Sequence, residues 1–158
     1  MSLASIRSGE RFLADAEATA AFGRELAVAL REQRGAVIHL RGTLGAGKTT
    51  LARELLRALG VTGTIRSPTY TLMEPYELPD RRVLHMDLYR IEASDLDQLG
   101  LDDYPPEETL WLVEWPEKGG AGVPRADLDL LLEPAGEGRK LQISTRSPPA
   151  SGNSPDFT

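Results

Sequence analysis

The sequence contains no cysteine, which excludes disulfides, thiolate nucleophiles and cysteine-ligated metal centres. It has only two histidines, His39 and His85, and neither stands near a set of metal-binding partners in the sequence. No apolar run approaches the roughly 18 residues that a transmembrane helix requires, and the first residues lack the apolar core of a secretory signal. We therefore expect a cytoplasmic protein with no membrane association and no dedicated zinc site.

Basic residues are missing from one long stretch. Residues 92–108 contain seven acidic side chains and no lysine or arginine, whereas the whole chain carries a formal net charge of −6. The rest of the chain is therefore close to neutral and offers no basic face for autonomous nucleic-acid binding, whose affinity comes largely from neutralising phosphates. We interpret the acidic stretch as a solvent-facing helix and loop, with docking of a basic protein partner as the alternative.

Length and composition predict one ordinary globular domain. The chain has 158 residues, of which 41% are hydrophobic and 27% charged, values close to those of average soluble domains. Residues 147–158 hold three prolines, three serines and little apolar surface, so they are predicted to form a flexible tail. We therefore place the domain in residues 1–146.

Hydrophobic spacing predicts alternating helices and strands. Residues 15–34 have a helical pattern that starts at Asp15, a suitable N-cap, and stops before Gly35. A second helix follows the glycine-rich stretch and ends before Gly60, and a short capped helix is predicted over Ser94–Leu99. Strands are predicted over Ala36–Arg41, Ile65–Leu72, Val83–Tyr89, Thr109–Glu114, Leu128–Glu133 and Lys140–Thr145. This order predicts an α/β fold with a mixed central sheet and flanking helices.

The segment Gly42–Thr49 matches the phosphate-binding pattern G-x-x-x-x-G-K-[ST]. Its glycines let backbone N–H groups point at phosphate, while Lys48 reaches the outer phosphates and the Thr49 hydroxyl can bind Mg²⁺. An apolar strand precedes the loop and an amphipathic helix follows it, which is the arrangement that this chemistry requires. The sequence therefore predicts a P-loop protein that binds a nucleoside triphosphate.

Two predicted strands end in carboxylates, Asp87 and Glu114. Either acid could hold Mg²⁺ or orient an attacking water, and spacing alone does not divide these roles between them. Thr69 and Ser67, in the segment after the first P-loop helix, are candidates for sensing the terminal phosphate. His85, inside the same predicted strand as Asp87, is interpreted as a structural histidine.

The motifs leave three kinds of protein open: an ATPase, a small-molecule kinase, and a nucleotide-dependent binding module whose hydrolysis is incidental. A signalling GTPase is disfavoured because Asn153 is the only asparagine, so no N-K-x-D guanine motif exists. A P-loop small-molecule kinase is the alternative to an ATPase, but the region where its basic lid would lie is the acidic stretch. Water is therefore favoured as the acceptor of the phosphoryl group.

Four segments, GTLGAGKTTLAR, SPTYTLMEPY, HMDLYR and LVEWPEK, closely resemble the TsaE (YjeE) family in order and spacing. The resemblance extends from about Ala18 to Arg139. It implies a P-loop ATPase that uses ATP and Mg²⁺ and acts with TsaB and TsaD, so that tRNA is reached only through the complex and the isolated subunit is a monomer. In that assembly, threonylcarbamoyl is placed on the adenosine next to the anticodon, and ATP hydrolysis supports turnover.

The resemblance also implies roles for individual residues. Thr49 and Glu114 would bind Mg²⁺, Asp87 would help to position water or metal, and Thr69 would respond to the terminal phosphate. Trp115 would lie beside the site. The implied nucleotide contacts are Glu17, Thr19, Leu44, Gly45, Ala46, Gly47, Lys48, Thr49, Thr50 and Arg139.

Overall fold

The computed structural model describes residues 3–92 and 95–146. In chain order, the strands and α-helices are β1 (Gly9–Leu13), α1 (Ala16–Ala29), β2 (Ala36–Arg41), α2 (Lys48–Leu59), β3 (Met73–Glu77), β4 (Arg82–Asp87), β5 (Thr109–Glu114), β6 (Leu128–Ala135) and β7 (Gly138–Thr145). Short 3-10 helices occupy Leu3–Ser5, Leu96–Gln98, Leu101–Asp103 and Pro116–Gly122. The predicted tail, residues 147–158, lies outside the described residues.

The strands form one seven-stranded sheet in the order β1-β7-β6-β2-β5-β4-β3. The centre is parallel, because β2 pairs with both β5 and β6, and β4 pairs with β5. Both edges are antiparallel, with β3 on β4 at one side and β6, β7 and β1 at the other. The predicted mixed sheet is therefore confirmed. Its parallel centre brings the carboxyl ends of β2, β4 and β5 to one edge.

Both α-helices pack on the same face of the sheet. Phe22 and Leu26 of α1 and Leu51 and Leu55 of α2 are fully or almost fully buried in one core with the sheet. The predicted N-cap is confirmed, since the Asp15 carboxylate accepts a hydrogen bond of 2.9 Å from the Ala18 amide. No helix in the described ranges, 3–92 and 95–146, has the length and apolarity needed to span a bilayer.

The first helix is shorter than predicted, ending at Ala29 instead of Arg34. The chain forms a tight turn there, because the backbone amide of Gln33 donates a hydrogen bond to the Leu30 carbonyl. The Arg81 guanidinium then donates to the Leu30 and Gln33 carbonyls and so satisfies groups that a longer helix would have used.

The prediction of a strand over Ile65–Leu72 was wrong. A turn closes there, with the Leu72 amide donating to the Pro68 carbonyl at 2.8 Å and Leu72 itself at φ +70°. The next strand starts only at Met73. Alternating Thr and Tyr side chains favour a strand locally, but the turn brings Thr69 to the carboxyl end of β4.

Other boundaries differ at strand ends. Strand β4 stops at Asp87 instead of Tyr89, because the Asp87 carboxylate accepts the Tyr89 amide in a local turn. The predicted helix at Ser94–Leu99 is a 3-10 turn over Leu96–Gln98 whose N-cap is Asp95; Ser94 lies outside the described residues. Strand β1 was missed, since its sequence GERFL has only one buried side chain.

Candidate nucleotide-binding site

The glycine loop joins the end of β2 to the start of α2. Gly42, Gly45 and Gly47 have φ angles of +147°, +80° and +105°, which side-chain-bearing residues rarely adopt. A Cβ atom on Gly42 would clash with the Leu132 carbonyl, and one on Gly47 would clash with the Arg139 side chain. The glycines therefore meet both conformational and steric needs of a loop whose amides face a ligand.

Lys48, the first residue of α2, is buried against the loop. Its ammonium donates to the carbonyls of Gly42 and, at 3.0 Å, of Thr43. The ammonium nitrogen also lies 4.3 Å from the centre of the Trp115 ring. Burial lowers the pKa of Lys48, and the nearby carboxylates of Glu114 and Asp87 oppose that shift. Lys48 is thus a desolvated donor facing two acids.

Asp87 and Glu114 are paired residues at the ends of two neighbouring parallel strands. Both side chains are almost completely buried. The Thr49 hydroxyl donates to Oε1 of Glu114 at 3.0 Å. The other carboxylate oxygen, Oε2, lies 2.7 Å from Nε2 of His85. The strand order thus connects the first turn of α2 to an acid 65 residues further along the chain.

Asp87 is tied to the turn that follows α2. Its Oδ2 accepts the Thr69 hydroxyl at 3.3 Å, and Thr69 shares a hydrogen bond of 2.8 Å with the Ser67 hydroxyl. Its Oδ1 accepts the Tyr89 amide at 3.0 Å. Burial raises the pKa of Asp87, partly offset by the Tyr89 hydrogen bond, and the Glu114 charge raises it further. Asp87 is therefore a stronger base than a solvated aspartate.

An aromatic wall borders the site. Trp115 has φ +58°, a left-handed backbone conformation that is uncommon for a residue of this size. The ring centroids of Tyr89 and Trp115 are 4.9 Å apart, and the Lys118 ammonium lies 4.7 Å from the Tyr89 centroid. Tyr89 and Lys118 were not singled out from the sequence. The available signal was their position in the DLYR and EWPEK motifs.

These groups enclose a cleft of about 240 Å³. It is lined by Leu44, Gly45, Gly47, Lys48, Thr49, Thr50, Thr69, Asp87, Tyr89, Glu114, Trp115 and Arg139. Most of the residues selected from the sequence are therefore brought together.

Three of the implied nucleotide contacts do not line the cleft, and neither does the candidate phosphate sensor Ser67. Ala46 is buried, and its carbonyl accepts a hydrogen bond of 2.5 Å from Nε of Arg139. Glu17 lies on α1 in an exposed ion pair with Arg24, and Thr19 is buried on the same helix, with its hydroxyl directed to the Asp15 carbonyl. The nucleotide contacts of Glu17 and Thr19 stay predictions.

A family model described as threonylcarbamoyl adenosine biosynthesis protein TsaE matches residues 13–141. The chain belongs to the TsaE family. That match contains the glycine loop, Thr69, both strand-end acids and Arg139. The resemblance noted from the four motifs is thereby confirmed.

Individual TsaE relatives cover most of the chain. A Haemophilus influenzae protein is 36% identical over 120 residues, which are 75% of this chain and 76% of that protein. A Synechocystis protein is 42% identical over 115 residues, 70% of this chain and 72% of the relative. A Bacillus subtilis protein is 36% identical over 128 residues, 81% and 75% of the two chains. All three are named tRNA threonylcarbamoyladenosine biosynthesis protein TsaE.

The TsaE fold also has a counterpart among solved structures. The crystal structure of Bacillus subtilis YdiB superposes with a TM-score of 0.72 at 28% sequence identity. The match covers 88% of this chain and 86% of YdiB. The predicted P-loop α/β fold with a mixed sheet is confirmed.

Proposed function

We propose that this protein is the ATP-hydrolysing subunit of the system that adds threonylcarbamoyl to the adenosine next to the anticodon of tRNA. One observation carries the biochemical part: Lys48, Thr49, Asp87 and Glu114 line a single cleft beside the glycine loop. Membership of the TsaE family supports the pathway part, because its relatives are named for tRNA threonylcarbamoyladenosine biosynthesis.

In this proposal, the loop binds the phosphates of ATP. Leu44, Gly45 and residues 47–50 line the cleft, and the N-terminus of α2 lies there, so its free backbone amides and the positive end of its dipole would attract anions. Lys48 contributes a full positive charge from a buried position, where its interaction with phosphate is little screened. Arg139 adds a second cation to the cleft and donates a hydrogen bond to the Ala46 carbonyl.

The residues present fit a magnesium ion. Mg²⁺ prefers oxygen ligands and commonly takes only one or two from protein, the rest coming from phosphate and water. The Thr49 hydroxyl donates its proton to Glu114 and still has lone pairs for a metal, while the Glu114 carboxylate adds negative charge. Within residues 3–92 and 95–146, no group of three or more His, Asp or Glu side chains forms a metal cage. Thr49 and Glu114 would hold Mg²⁺, which would neutralise charge on the phosphates.

Hydrolysis requires a positioned water. In the proposed step, the water oxygen attacks the terminal phosphorus, and the bond from that phosphorus to the bridging oxygen breaks, giving ADP and phosphate. Asp87 faces the cleft and can accept a hydrogen bond from the water, and its raised pKa favours proton acceptance. Thr69, now bonded to Asp87, can turn its hydroxyl to the terminal phosphate.

The partners in this proposal are TsaB and TsaD, and tRNA is contacted through that cytoplasmic complex. The isolated subunit is proposed to be a monomer with weak ATPase activity. The decisive experiment measures release of phosphate from ATP by the purified protein alone, with TsaB plus TsaD, and with each partner separately. We expect a rise in turnover with both partners. The Lys48→Ala variant, mixed with the same partners, controls for contaminating ATPases.

Two results would contradict the proposal. Turnover that does not change with TsaB and TsaD would separate this protein from the tRNA-modifying system. Transfer of the terminal phosphoryl group to a small metabolite instead of water would identify the alternative function, a small-molecule kinase.

A further inference from the structure

The second histidine of the chain, His85, is completely buried next to a proposed metal ligand. The His85 and Glu114 side chains are each about 2% exposed, and Nε2 lies 2.7 Å from Oε2. A hydrogen bond of this length between two side chains shielded from water holds both groups in one arrangement. The role assigned to Glu114 does not by itself explain this contact.

The sheet explains why this histidine meets Glu114. Residues alternate between the two faces of a strand, and Val83, His85 and Asp87 share one face of β4. Val83 belongs to the core under the helices, whereas Leu84 and Met86 belong to the core on the opposite face. His85 is paired with Leu112, two residues before Glu114, so its ring lies one row behind the acid, towards the interior of the sheet.

The two ring nitrogens have different surroundings. Nε2 faces the Glu114 carboxylate, while Nδ1 is buried and has no hydrogen-bond partner among the described residues. A proton on Nε2 supplies a donor to the carboxylate and leaves an acceptor, Nδ1, in the apolar interior. A proton on Nδ1 would instead bury an unpaired donor and set a lone pair of Nε2 against the carboxylate. The surroundings therefore select the Nε2–H tautomer.

We propose that His85 is a positioning residue that holds Oε2 of Glu114 and thereby keeps Oε1 directed at Thr49 and the cleft. This inference rests on the proposed role of Thr49 and Glu114 in holding Mg²⁺. Partners that orient a metal-binding group from behind commonly change metal affinity by roughly 10- to 100-fold when they are removed. The sequence indicated only a structural histidine because the contact spans 29 residues of chain.

The test compares two substitutions that differ in where they place a donor. In His85→Gln, the side-chain amide nitrogen can reach the position of Nε2. In His85→Asn, the side chain is too short to place its amide nitrogen there. His39 provides matched controls, since its Nε2 also forms a hydrogen bond with an oxygen, the Pro124 carbonyl oxygen at 2.9 Å. His39 lies on the opposite face of β2 from Ile38 and Leu40, which belong to the core under the helices. The controls are His39→Gln and His39→Asn.

The measurement is a calorimetric titration of Mg²⁺ into each protein with bound non-hydrolysable ATP analogue, beside Mg²⁺-dependent hydrolysis and thermal unfolding. We expect at least a tenfold weaker apparent Mg²⁺ affinity for His85→Asn, most of it restored in His85→Gln, and no change for the His39 variants. An unchanged Mg²⁺ affinity in folded His85→Asn would overturn the inference. Equal losses in His85→Gln and His85→Asn, in proportion to lost thermal stability, would indicate a merely structural role and also overturn it.

A second readout does not depend on nucleotide or metal. Two-bond ¹H–¹⁵N correlation spectra of the ligand-free protein report the tautomer of each histidine, and the His39 variants assign the signals. We expect a proton on Nε2 of His85, and the Nδ1–H tautomer, which has no proton on Nε2, would overturn the inference. If the proton is found on Nε2 but the wild type shows no Mg²⁺-dependent nucleotide binding, the proposed function fails and the role of His85 towards a metal fails with it.

Discussion

The ammonium nitrogen of Lys48 lies 4.3 Å from the centre of the Trp115 ring, while its hydrogen bonds go to carbonyls of its own loop. A cation over an aromatic face is attracted by the ring electrons, most strongly where water is excluded. The indole therefore covers the group that the P-loop assignment directs at phosphate. Any ligand that draws the ammonium away must change the environment of Trp115.

Nucleotide binding should change the fluorescence of Trp115. The chain has one other tryptophan, Trp111, which is buried, does not line the cleft and donates to the Tyr104 carbonyl. We expect a change in emission when ATP is added to the wild type and to Trp111→Phe. The same titration of Trp115→Phe should show no change, and a persistent signal there would place the nucleotide elsewhere.

Lys48→Ala should weaken ATP binding by roughly 10- to 100-fold. That range follows from the roughly 1.5–3 kcal/mol of a hydrogen bond to a charged group, at about 1.4 kcal/mol per factor of ten. The half-buried Lys140, in contact with Glu10 and Glu133, is the matched control. Calorimetry on Lys48→Ala and Lys140→Ala measures both affinities. Equal affinities would contradict the role of Lys48.

Neutralising Glu114 and neutralising Asp87 should have different effects on Mg²⁺ affinity and on hydrolysis. Glu114→Gln preserves size but removes the charge beside Thr49, so Mg²⁺ affinity and hydrolysis should fall together. Asp87→Asn should lower hydrolysis by at least tenfold while ATP and Mg²⁺ still bind, because Asp87 is proposed to act on water. Paired titrations of nucleotide and metal, with turnover in the reconstituted complex, measure both effects. Equal loss of Mg²⁺ affinity would instead indicate that both acids coordinate the metal.

The contribution of Asp87 to the free energy of unfolding should decrease as pH rises. Burial raises the pKa of its carboxyl in the folded protein, so between the unfolded and folded values the folded protein binds more protons. The free energy of unfolding contributed by Asp87 therefore falls as pH increases through that window. Asp87→Asn should unfold at a higher temperature than the wild type at neutral pH, and the difference should shrink below the unfolded pKa. Thermal unfolding across pH checks this, and a constant difference would contradict it.

Gly47→Ala should destabilise the protein more than the same change at Gly63. Both glycines have positive φ, at +105° and +77°, so each substitution costs about 1–2 kcal/mol in backbone strain. Only the Gly47 methyl group would also meet the Arg139 side chain, which would lose its bond to Ala46 at a further cost of about 1 kcal/mol. Urea unfolding of the two variants measures the difference, and equal destabilisation would show that Arg139 moves away without cost.

Much of the candidate site could be predicted from contiguous residues. The spacing of Gly42, Gly47 and Lys48 identified the loop, because phosphate binding by backbone amides needs glycine at particular neighbouring positions. Asp15 and Gly60 marked one end of each helix for the same reason, since caps depend on residues within one turn. The carboxylates at the ends of two apolar strands were also visible without any tertiary contact.

Other local signals were misleading or too weak. Ile65–Leu72 contains strand-forming residues but folds into a turn. Its Thr69 and Leu72 both form hydrogen bonds with Asp87, a residue outside the segment. Strand β1 has little apolar surface and owes its conformation to pairing with β7. In both segments, bonds to distant residues override local preference.

Contacts between residues of the site depend on the pairing of strands that lie far apart in the chain. The linear order of residues was enough to identify a phosphate loop, two strand-end acids and a recognisable family. Strand order then placed β5 between β2 and β4, which set Glu114 against both Thr49 and His85, 65 and 29 residues away. Such contacts depend on the order and register in which distant strands pair, and the period-2 pattern of one strand selects a face but not a neighbour.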